Sequence, residues 1–199
     1  MSLLALDLGL DCGFAILNDG KFISGTKKLG KYREQFGERF YEFRKWLLSV
    51  IEKYDVETVY FERAYGHKGV EAGHCFGGFM YTLASVCFQH NIPCISFSVQ
   101  AIKKFIAGKG NATKEEVIAA VKVKGFDPQT DDEADAIAVM LLALDDVKNQ
   151  NRDQKRYYKA LGESGSRPPT ISLASEFFRG LTPSDHSKVT NCKKNEISV

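Results

Sequence analysis

The sequence predicts an α/β protein: a mixed five-stranded sheet, with three antiparallel strands followed by β-α-β crossovers, and helices on both faces. Three observations predict it. Residues 3–9 form an apolar run that ends at a glycine, which is typical of a strand buried on both faces. Two more strand patterns follow within residues 10–29, separated by turn residues. Beyond them, amphipathic helical patterns alternate with short apolar runs, as β-α-β crossovers require.

The first three strands are expected to form an antiparallel meander. A turn at residues 11–13 follows the first strand and leads into the second strand at residues 14–17. The Asn-Asp-Gly sequence at residues 18–20 predicts a tight turn, because these residues tolerate positive φ. The third strand is expected at residues 21–29.

Two long helices alternate with two strands in the middle of the chain. Residues 33–54 carry apolar side chains every three or four positions, which predicts an amphipathic helix. The strand at residues 56–61 ends in Glu62 and should neighbour the first strand. A second helix is expected at residues 71–90, and the last strand at residues 92–97.

Three helices complete the predicted fold. The first is a short helix at residues 99–106. A capping box at residues 113–116 opens the second, which ends at Gly125. Another capping box at residues 130–133 opens the third. Residues 135–142 of that helix are apolar on nearly all sides, so they should lie between layers or at a subunit contact.

Composition and length limit the classes of protein to consider. Residues 1–148 are expected to form one domain, and residues 149–199 a polar, partly irregular C-terminal tail. The net charge of +2 does not by itself indicate nucleic-acid binding. A secretory leader and a long apolar span are both missing, so no membrane contact is expected. Five cysteines without a CxxC pair indicate reduced thiols and a cytoplasmic location.

Four carboxylates are expected to meet at one end of the sheet. Asp7 lies in the first strand, where a buried carboxylate without a partner is costly. Glu62 ends the neighbouring strand, and Asp132 and Asp135 share one face of a helix. Taken singly, these residues fit turn or helix capping. Together they favour Mg²⁺ or Mn²⁺, two of which clamp the attacking and leaving oxygens of a phosphodiester.

Basic residues concentrate in one segment of the chain. Between residues 103 and 124 there are six lysines against two glutamates. Such a surface suits backbone phosphates, with a solvated helix face as the alternative. The glycines at 108–110 lack P-loop spacing. A zinc site at Cys87, His90 and Cys94 lacks an evident fourth ligand.

These motifs resemble the RuvC family of Holliday junction resolvases. The acidic motifs are Asp-Leu-Gly at residues 7–9, Phe-Glu at residues 61–62, and residues 132–138. Residues 100–117 resemble the family's V-K-x-x-x-x-G-x-G-x-A-x-K stretch without a gap. The resemblance covers roughly residues 1–146 and implies an RNase H-like fold, with residues 1–148 as a RuvC-like nuclease domain.

The resemblance also implies which residues do the chemistry. The expected catalytic residues are Asp7, Glu62, Asp132, Asp135 and Lys114. The four carboxylates would hold two Mg²⁺ ions, with Mn²⁺ as a substitute, and Lys114 or Lys103 would steady the scissile phosphate. Tyr65 matches an aromatic that stacks at the junction centre, and packing against its own loop is the alternative. The expected DNA-binding residues are Tyr65, Lys103, Lys104, Lys109 and Lys114.

The function implied is a metal-dependent, structure-selective DNA endonuclease that resolves four-way junctions by paired symmetric nicks. A homodimer is expected, because a four-way junction has two-fold symmetry. One alternative is a flap or RNA–DNA hybrid nuclease of the same fold. The other is a nucleic-acid-binding protein without catalysis, which four clustered carboxylates disfavour because they repel phosphates.

The chain departs from the family at two places. The glycine loop at residues 9–13 is one residue shorter than in typical bacterial members, and Asp11 adds a carboxylate to it. The tail has no counterpart that can be placed. Both features suggest a divergent branch, and a viral member acting in the host-cell cytoplasm is one candidate.

Overall fold

The protein is built on one five-stranded sheet. A computed structural model describes residues 1–30, 36–63 and 69–160. The strands are β1 (Ser2–Asp7), β2 (Asp11–Asn18), β3 (Lys21–Lys28), β4 (Thr58–Arg63) and β5 (Cys94–Ser98). Their order in the sheet is β3-β2-β1-β4-β5, antiparallel from β3 to β1 and parallel from β1 to β5. The predicted mixed sheet is confirmed.

Five helices surround the sheet in the part of the chain that the structure describes. They are α1 (Phe36–Tyr54), α2 (Val70–Gln89), α3 (Val99–Ala107), α4 (Lys114–Val123) and α5 (Asp131–Ala160). The capping box that opens α4 is present, with Thr113 and Glu116 each satisfying the other's backbone N–H. Within these ranges, no helix combines the length and apolarity needed to cross a bilayer.

Helix α5 is longer than expected. Residues 150–160 are helical, so the irregular tail does not begin at residue 150. Neither glycine nor proline occurs between Asp131 and Gly162, so no strong stop signal lies in this stretch. Residues 161–199 lie outside the described residues, and the division into a domain and a tail stays a prediction.

Side chains of β1 point alternately to the two faces of the sheet and contribute to two separate hydrophobic cores. Leu3 and Ala5 join the apolar cluster beneath α3, α4 and α5, whereas Leu4 and Leu6 join the cluster beneath α1 and α2. Successive side chains of a strand point to opposite faces, so one apolar run serves both layers. Helices on both faces of the sheet are therefore confirmed.

The apolar part of α5 lies in the chain's own core. Every residue from 136 to 141 is buried, and α5 packs across β1, β2 and β4. Of the two expectations for this segment, burial between layers is confirmed, and a subunit contact is wrong. The apolar side chains are already covered by the sheet and by α3 and α4.

Three strand boundaries differ from the expected ones at functionally important positions. β2 begins at Asp11, so residues 11–13, which were expected to form a turn, belong to the strand. β1 ends at Asp7 instead of running to residue 9. β4 continues past Glu62 to Arg63, because its pairing with β5 extends that far, and Glu62 lies opposite Phe97. Glu62 is thus held within the ladder rather than following it.

The described cysteines are all free thiols. Cys12, Cys75 and Cys87 are buried, and Cys94 is partly buried. The thiols of Cys87 and Cys94 interact with each other. No group of three potential metal ligands forms around them in the described ranges, so nothing there favours the zinc interpretation.

Candidate active site

Two of the four carboxylates are set by the sheet. Asp7 is the last residue of β1 and pairs with Gly13 of β2. β1 and β4 are parallel with Leu6 level with Phe61, so Asp7 and Glu62 are neighbours one step further along. Aligned residues of parallel strands point to the same face. That face is the one covered by α5.

The other two carboxylates, Asp132 and Asp135, stand on the first turns of α5, which side-chain hydrogen bonds tie to β3. Buried Glu133 accepts a 2.8 Å hydrogen bond from Ser24 Oγ of β3 and another of 2.8 Å from the backbone N–H of Gln129. The hydroxyls of Thr26 and Thr130 lie 2.6 Å apart. These contacts fix the start of α5 over the end of the meander.

The four carboxylates are near enough to influence one another's pKa. Burial, followed by repulsion from Glu62, Asp135 and Asp132, raises the pKa of Asp7 well above its usual range. Burial and then Asp135 raise the pKa of Glu62 to about 7. Burial is also the main reason why the pKa of Asp135 rises to about 6. Asp7 therefore sits at the centre of an excess of negative charge.

Two of the predicted lysines flank this group of carboxylates. Lys114, at the start of α4, forms an ion pair with Asp131 and lowers the pKa of Asp7 and Asp135. Lys103, in α3, donates a 2.7 Å hydrogen bond to the carbonyl of Ala112 and lowers the pKa of Glu62. Each lysine thus offsets part of the negative charge.

The remaining predicted DNA contacts lie further out. Lys109 Nζ is 2.6 Å from a carboxylate oxygen of Glu116. Lys104 is exposed on α3. Tyr65 lies outside the described residues, so its stacking role stays a prediction. The structure thus brings Lys103 and Lys114 to the carboxylates and leaves Lys109 in a separate ion pair.

The donor set fits a hard divalent cation. As placed, no three His, Cys, Asp or Glu side chains of the described ranges stand close enough to hold one. Burial is the largest cause of the raised pKa values of Asp7, Glu62 and Asp135, and repulsion from neighbouring carboxylates adds to it. Either a proton or a cation can relieve the repulsion within such a group, and the carboxylate oxygens suit Mg²⁺ and Mn²⁺.

Sequence reasoning missed three residues that shape this site. Asp131 had been assigned only to a capping box, yet it holds Lys114. The capping box predicted at residues 130–133 is half formed: Thr130 accepts from the N–H of Glu133, but the Glu133 carboxylate accepts from Gln129 and from Ser24, 109 residues away, a bond that has no local signal. Asp11, which the sequence marks only as an extra carboxylate, raises the pKa of Asp132. It is the third largest cause of that shift, behind burial and Asp131.

The chain is similar in sequence to known crossover junction endodeoxyribonucleases. The family model described as crossover junction endodeoxyribonuclease RuvC matches residues 4–143. The crossover junction endodeoxyribonuclease RuvC of Ehrlichia chaffeensis is 30% identical over 155 residues, which cover 71% of this chain and 94% of that protein. That of Dehalococcoides mccartyi is 31% identical over 100 residues, covering 49% of this chain and 60% of that protein.

A solved structure shares the fold. The structure of Thermus thermophilus RuvC in complex with a Holliday junction substrate matches with a TM-score of 0.60 at 22% identity, over 70% of this chain and 90% of that one. The RNase H-like fold and the resemblance found in the motifs are confirmed. Since the family model covers most of the residues that form the sheet and its helices, the chain belongs to the RuvC family of crossover junction endodeoxyribonucleases.

Proposed function

We propose that this chain resolves four-way DNA junctions by hydrolysing one phosphodiester in each of two symmetry-related strands. Membership of a family of crossover junction endodeoxyribonucleases supports the reaction class. The observation that carries the proposal is the placement of the carboxylates: Asp7 and Glu62 lie side by side in the sheet, and Asp132 lies against Gly13, the cross-strand partner of Asp7. Such a group repels DNA unless cations lie between the two, so it favours a nuclease over a protein that only binds.

The family is metal-dependent. We assign the binding of the cations to Asp7, Glu62, Asp132 and Asp135, which approach from two strands and one helix. Two Mg²⁺ ions, with Mn²⁺ as a substitute, would supply an activated water and offset charge on the phosphate. Lys114 is exposed beside these carboxylates, so its ammonium can turn to the scissile phosphate.

The DNA would lie across the carboxylates and the lysines of α3 and α4. Lys103, Lys104 and Lys109 are candidate contacts to backbone phosphates, with binding that weakens as salt rises. Tyr65 is proposed to stack on an unpaired base at the branch point, as its place three residues after Glu62 suggests. We place the protein in the cytoplasm, where free thiols such as those of this chain persist.

A homodimer through α2 would present two such sites to one junction. The outer face of α2 is mostly small or apolar at alternating spacings of four and three residues: Val70, His74, Gly77, Tyr81, Ala84 and Phe88. Tyr81 is 77% exposed and Phe88 is 85% exposed. A continuous stripe of this kind on a helix is typical of a helix–helix contact.

The reaction is tested by incubating the protein with Mg²⁺ and end-labelled four-way, flap, RNA–DNA hybrid and linear duplex substrates. Paired nicks at symmetric positions of the four-way junction are expected, and Asp7→Asn provides the inactive control. Preferential cutting of flaps or hybrids would instead identify another nuclease of the same fold. Tight binding without any cutting, in Mg²⁺ or Mn²⁺, would contradict a catalytic role.

The dimer is tested by light scattering at micromolar concentration. The wild type is expected to have the mass of a dimer, and Tyr81→Glu that of a monomer, because a charge in the middle of an apolar contact opposes association. Tyr41→Glu is the matched control, since Tyr41 is 61% exposed and belongs to α1, not to this stripe. A monomeric wild type with and without junction DNA, or a dimeric Tyr81→Glu, would remove α2 as the contact.

A further inference from the structure

At Gly13 the backbone of helix α5 comes very close to strand β2. A Cβ atom added at Gly13 would lie 1.9 Å from the carbonyl oxygen of Asp132 and 2.4 Å from its carbonyl carbon. The backbone N of Glu133 would be 3.2 Å away. All three atoms belong to the helix backbone, so no side-chain rotation relieves the overlap. The backbone of α5 can come this close to β2 only because the residue at position 13 has no side chain.

Space alone requires glycine at this position. Gly13 lies within β2 and is not among the glycines with positive φ. An alanine could therefore adopt the backbone conformation of Gly13 without strain. The requirement comes from the first turn of α5, which occupies the place where a methyl group would project.

The close approach falls where the two halves of the carboxylate group meet. Gly13 is the cross-strand partner of Asp7, and directly opposite residues of antiparallel strands point to the same face. Asp132, whose carbonyl lies against Gly13, also interacts electrostatically with Asp7. The height of α5 above β2 thus sets how far the carboxylates of the helix lie from those of the strands.

We propose that Gly13 is a positioning residue for the metal site: its missing side chain seats the first turn of α5 against β2 and sets the separation of Asp132 and Asp135 from Asp7. The inference rests on the proposed function, because it concerns the same carboxylates. In this role Gly13 acts through its contact with the backbone of α5. A methyl group at this position moves the first turn of α5 away from β2 and increases the distance of Asp132 and Asp135 from Asp7.

Gly25 provides a matched control. It lies in β3, is likewise not among the positive-φ glycines, and a Cβ there would come within 3.0 Å of the ring of Phe14. That contact is tight, but the ring is a side chain of the opposite core and does not hold α5. The added Cβ would meet the core on the face opposite α5, so Gly25→Ala strains the same sheet without placing an atom beneath α5 and leaves the side chains of Ser24 and Thr26, which hold the helix, unchanged.

The experiment measures Mn²⁺ binding to the full-length, initially metal-free protein by electron paramagnetic resonance, with thermal unfolding and junction binding as parallel readouts. Gly13→Ala is expected to bind Mn²⁺ at least ~10-fold more weakly than the wild type, the lower end of what disturbing the support of metal ligands costs. It should need correspondingly more Mg²⁺ for half-maximal cleavage and still bind junction DNA. Gly25→Ala should keep the wild-type affinity for Mn²⁺ whatever its melting temperature.

A wild-type affinity in Gly13→Ala, or an equal loss in Gly25→Ala, overturns the inference and leaves the proposed function standing. A wild type that neither binds Mn²⁺ nor cuts junctions overturns both. If Gly13→Ala does not fold, the double variant Gly13→Ala/Glu133→Ala, in which the turn is released from Ser24 and can rise, is compared with Glu133→Ala. Weaker Mn²⁺ binding by the double variant supports the positioning role, and equal binding refutes it.

Discussion

The carboxylate group has two halves that are held by different forces. The strand half, Asp7 and Glu62, is positioned by the parallel pairing of β1 and β4. The helix half, Asp132 and Asp135, is positioned by a few side-chain contacts at the start of α5. A ladder of backbone hydrogen bonds does not depend on which side chains its residues carry. A helix resting on a sheet depends on the particular side chains between them.

The difference predicts where the site is vulnerable. Substitutions away from the carboxylates should leave the strand half unchanged, because several consecutive backbone pairs hold it. The helix half should respond to changes at single residues such as Glu133, which carries two of its hydrogen bonds. Four predictions test this contrast, beginning with the changes that act on both halves.

Removing one ligand charge from either half should have the largest effect. Asp7→Asn and Asp132→Asn each keep the shape of the side chain and lose a charge that offsets a cation. Junction cleavage is expected to fall by at least ~100-fold in each, more than the loss of an outer partner of a metal ligand usually costs. Binding of junction DNA without metal should tighten, since negative charge near phosphate is lost. Full-rate cutting by either variant would contradict the assignment of that half.

Without metal, the strand half should make the protein less stable as pH rises. The pKa of Glu62 is raised from 4.5 to about 7, so the folded state favours the protonated form. The contribution of protonated Glu62 to stability is fully present below the pKa of 4.5 that this group has in the unfolded chain, and it is lost as pH rises through about 7. Without metal, the unfolding free energy of Glu62→Gln at pH 8 should exceed that of the wild type by about 2 kcal/mol, a conservative figure for a pKa shift of this size. Urea unfolding in EDTA measures this difference.

At pH 4 the same pair should be nearly equal in stability, because Glu62 is then largely protonated in the folded state. Excess Mg²⁺ should reverse the order at pH 8, since only the wild type offers the full ligand set. A pH dependence in Glu62→Gln identical to that of the wild type would show that Glu62 is not held in this repulsive environment.

Removing a contact that holds the helix half should lower both the unfolding free energy and the rate of cleavage. Glu133→Ala leaves Ser24 Oγ and the backbone N–H of Gln129 without their partner, which costs about 1–2 kcal/mol in unfolding free energy. Junction cleavage should also fall, because α5 can then shift over the sheet. Glu133→Gln retains an acceptor for one of these donors and should recover much of both losses. Equal rates of cleavage by Glu133→Ala and the wild type would show that the hydrogen bonds of Glu133 are not needed to position the helix for cleavage.

The ion pair at the edge of the helix half should matter least for stability. Lys114 is 66% exposed and Asp131 is 40% exposed, and such pairs contribute little in water. Asp131→Asn should change the unfolding free energy by less than ~0.5 kcal/mol. The variant frees Lys114, so its cleavage should be at least that of the wild type. A large loss of cleavage in Asp131→Asn would instead make Asp131 part of the ligand set.

Local sequence determined much of this protein. The apolar run of β1, with its alternation into two cores, follows from residues adjacent in the chain. The capping box at Thr113 sets the start of α4 because its partners lie three residues apart. The acidic motifs and the lysine segment identified the family, since each is a contiguous pattern. Tyr65 stays a prediction made from the same kind of pattern.

Only the tertiary structure decided how the halves of the site meet. The hydrogen bond from Ser24 to Glu133 and the contact of Asp132 with Gly13 each join segments that lie more than a hundred residues apart in the chain. Periodicity and capping report the environment of a residue along its own helix or strand. They carry no information about which distant backbone comes within contact distance, because that depends on how the helices pack on the completed sheet.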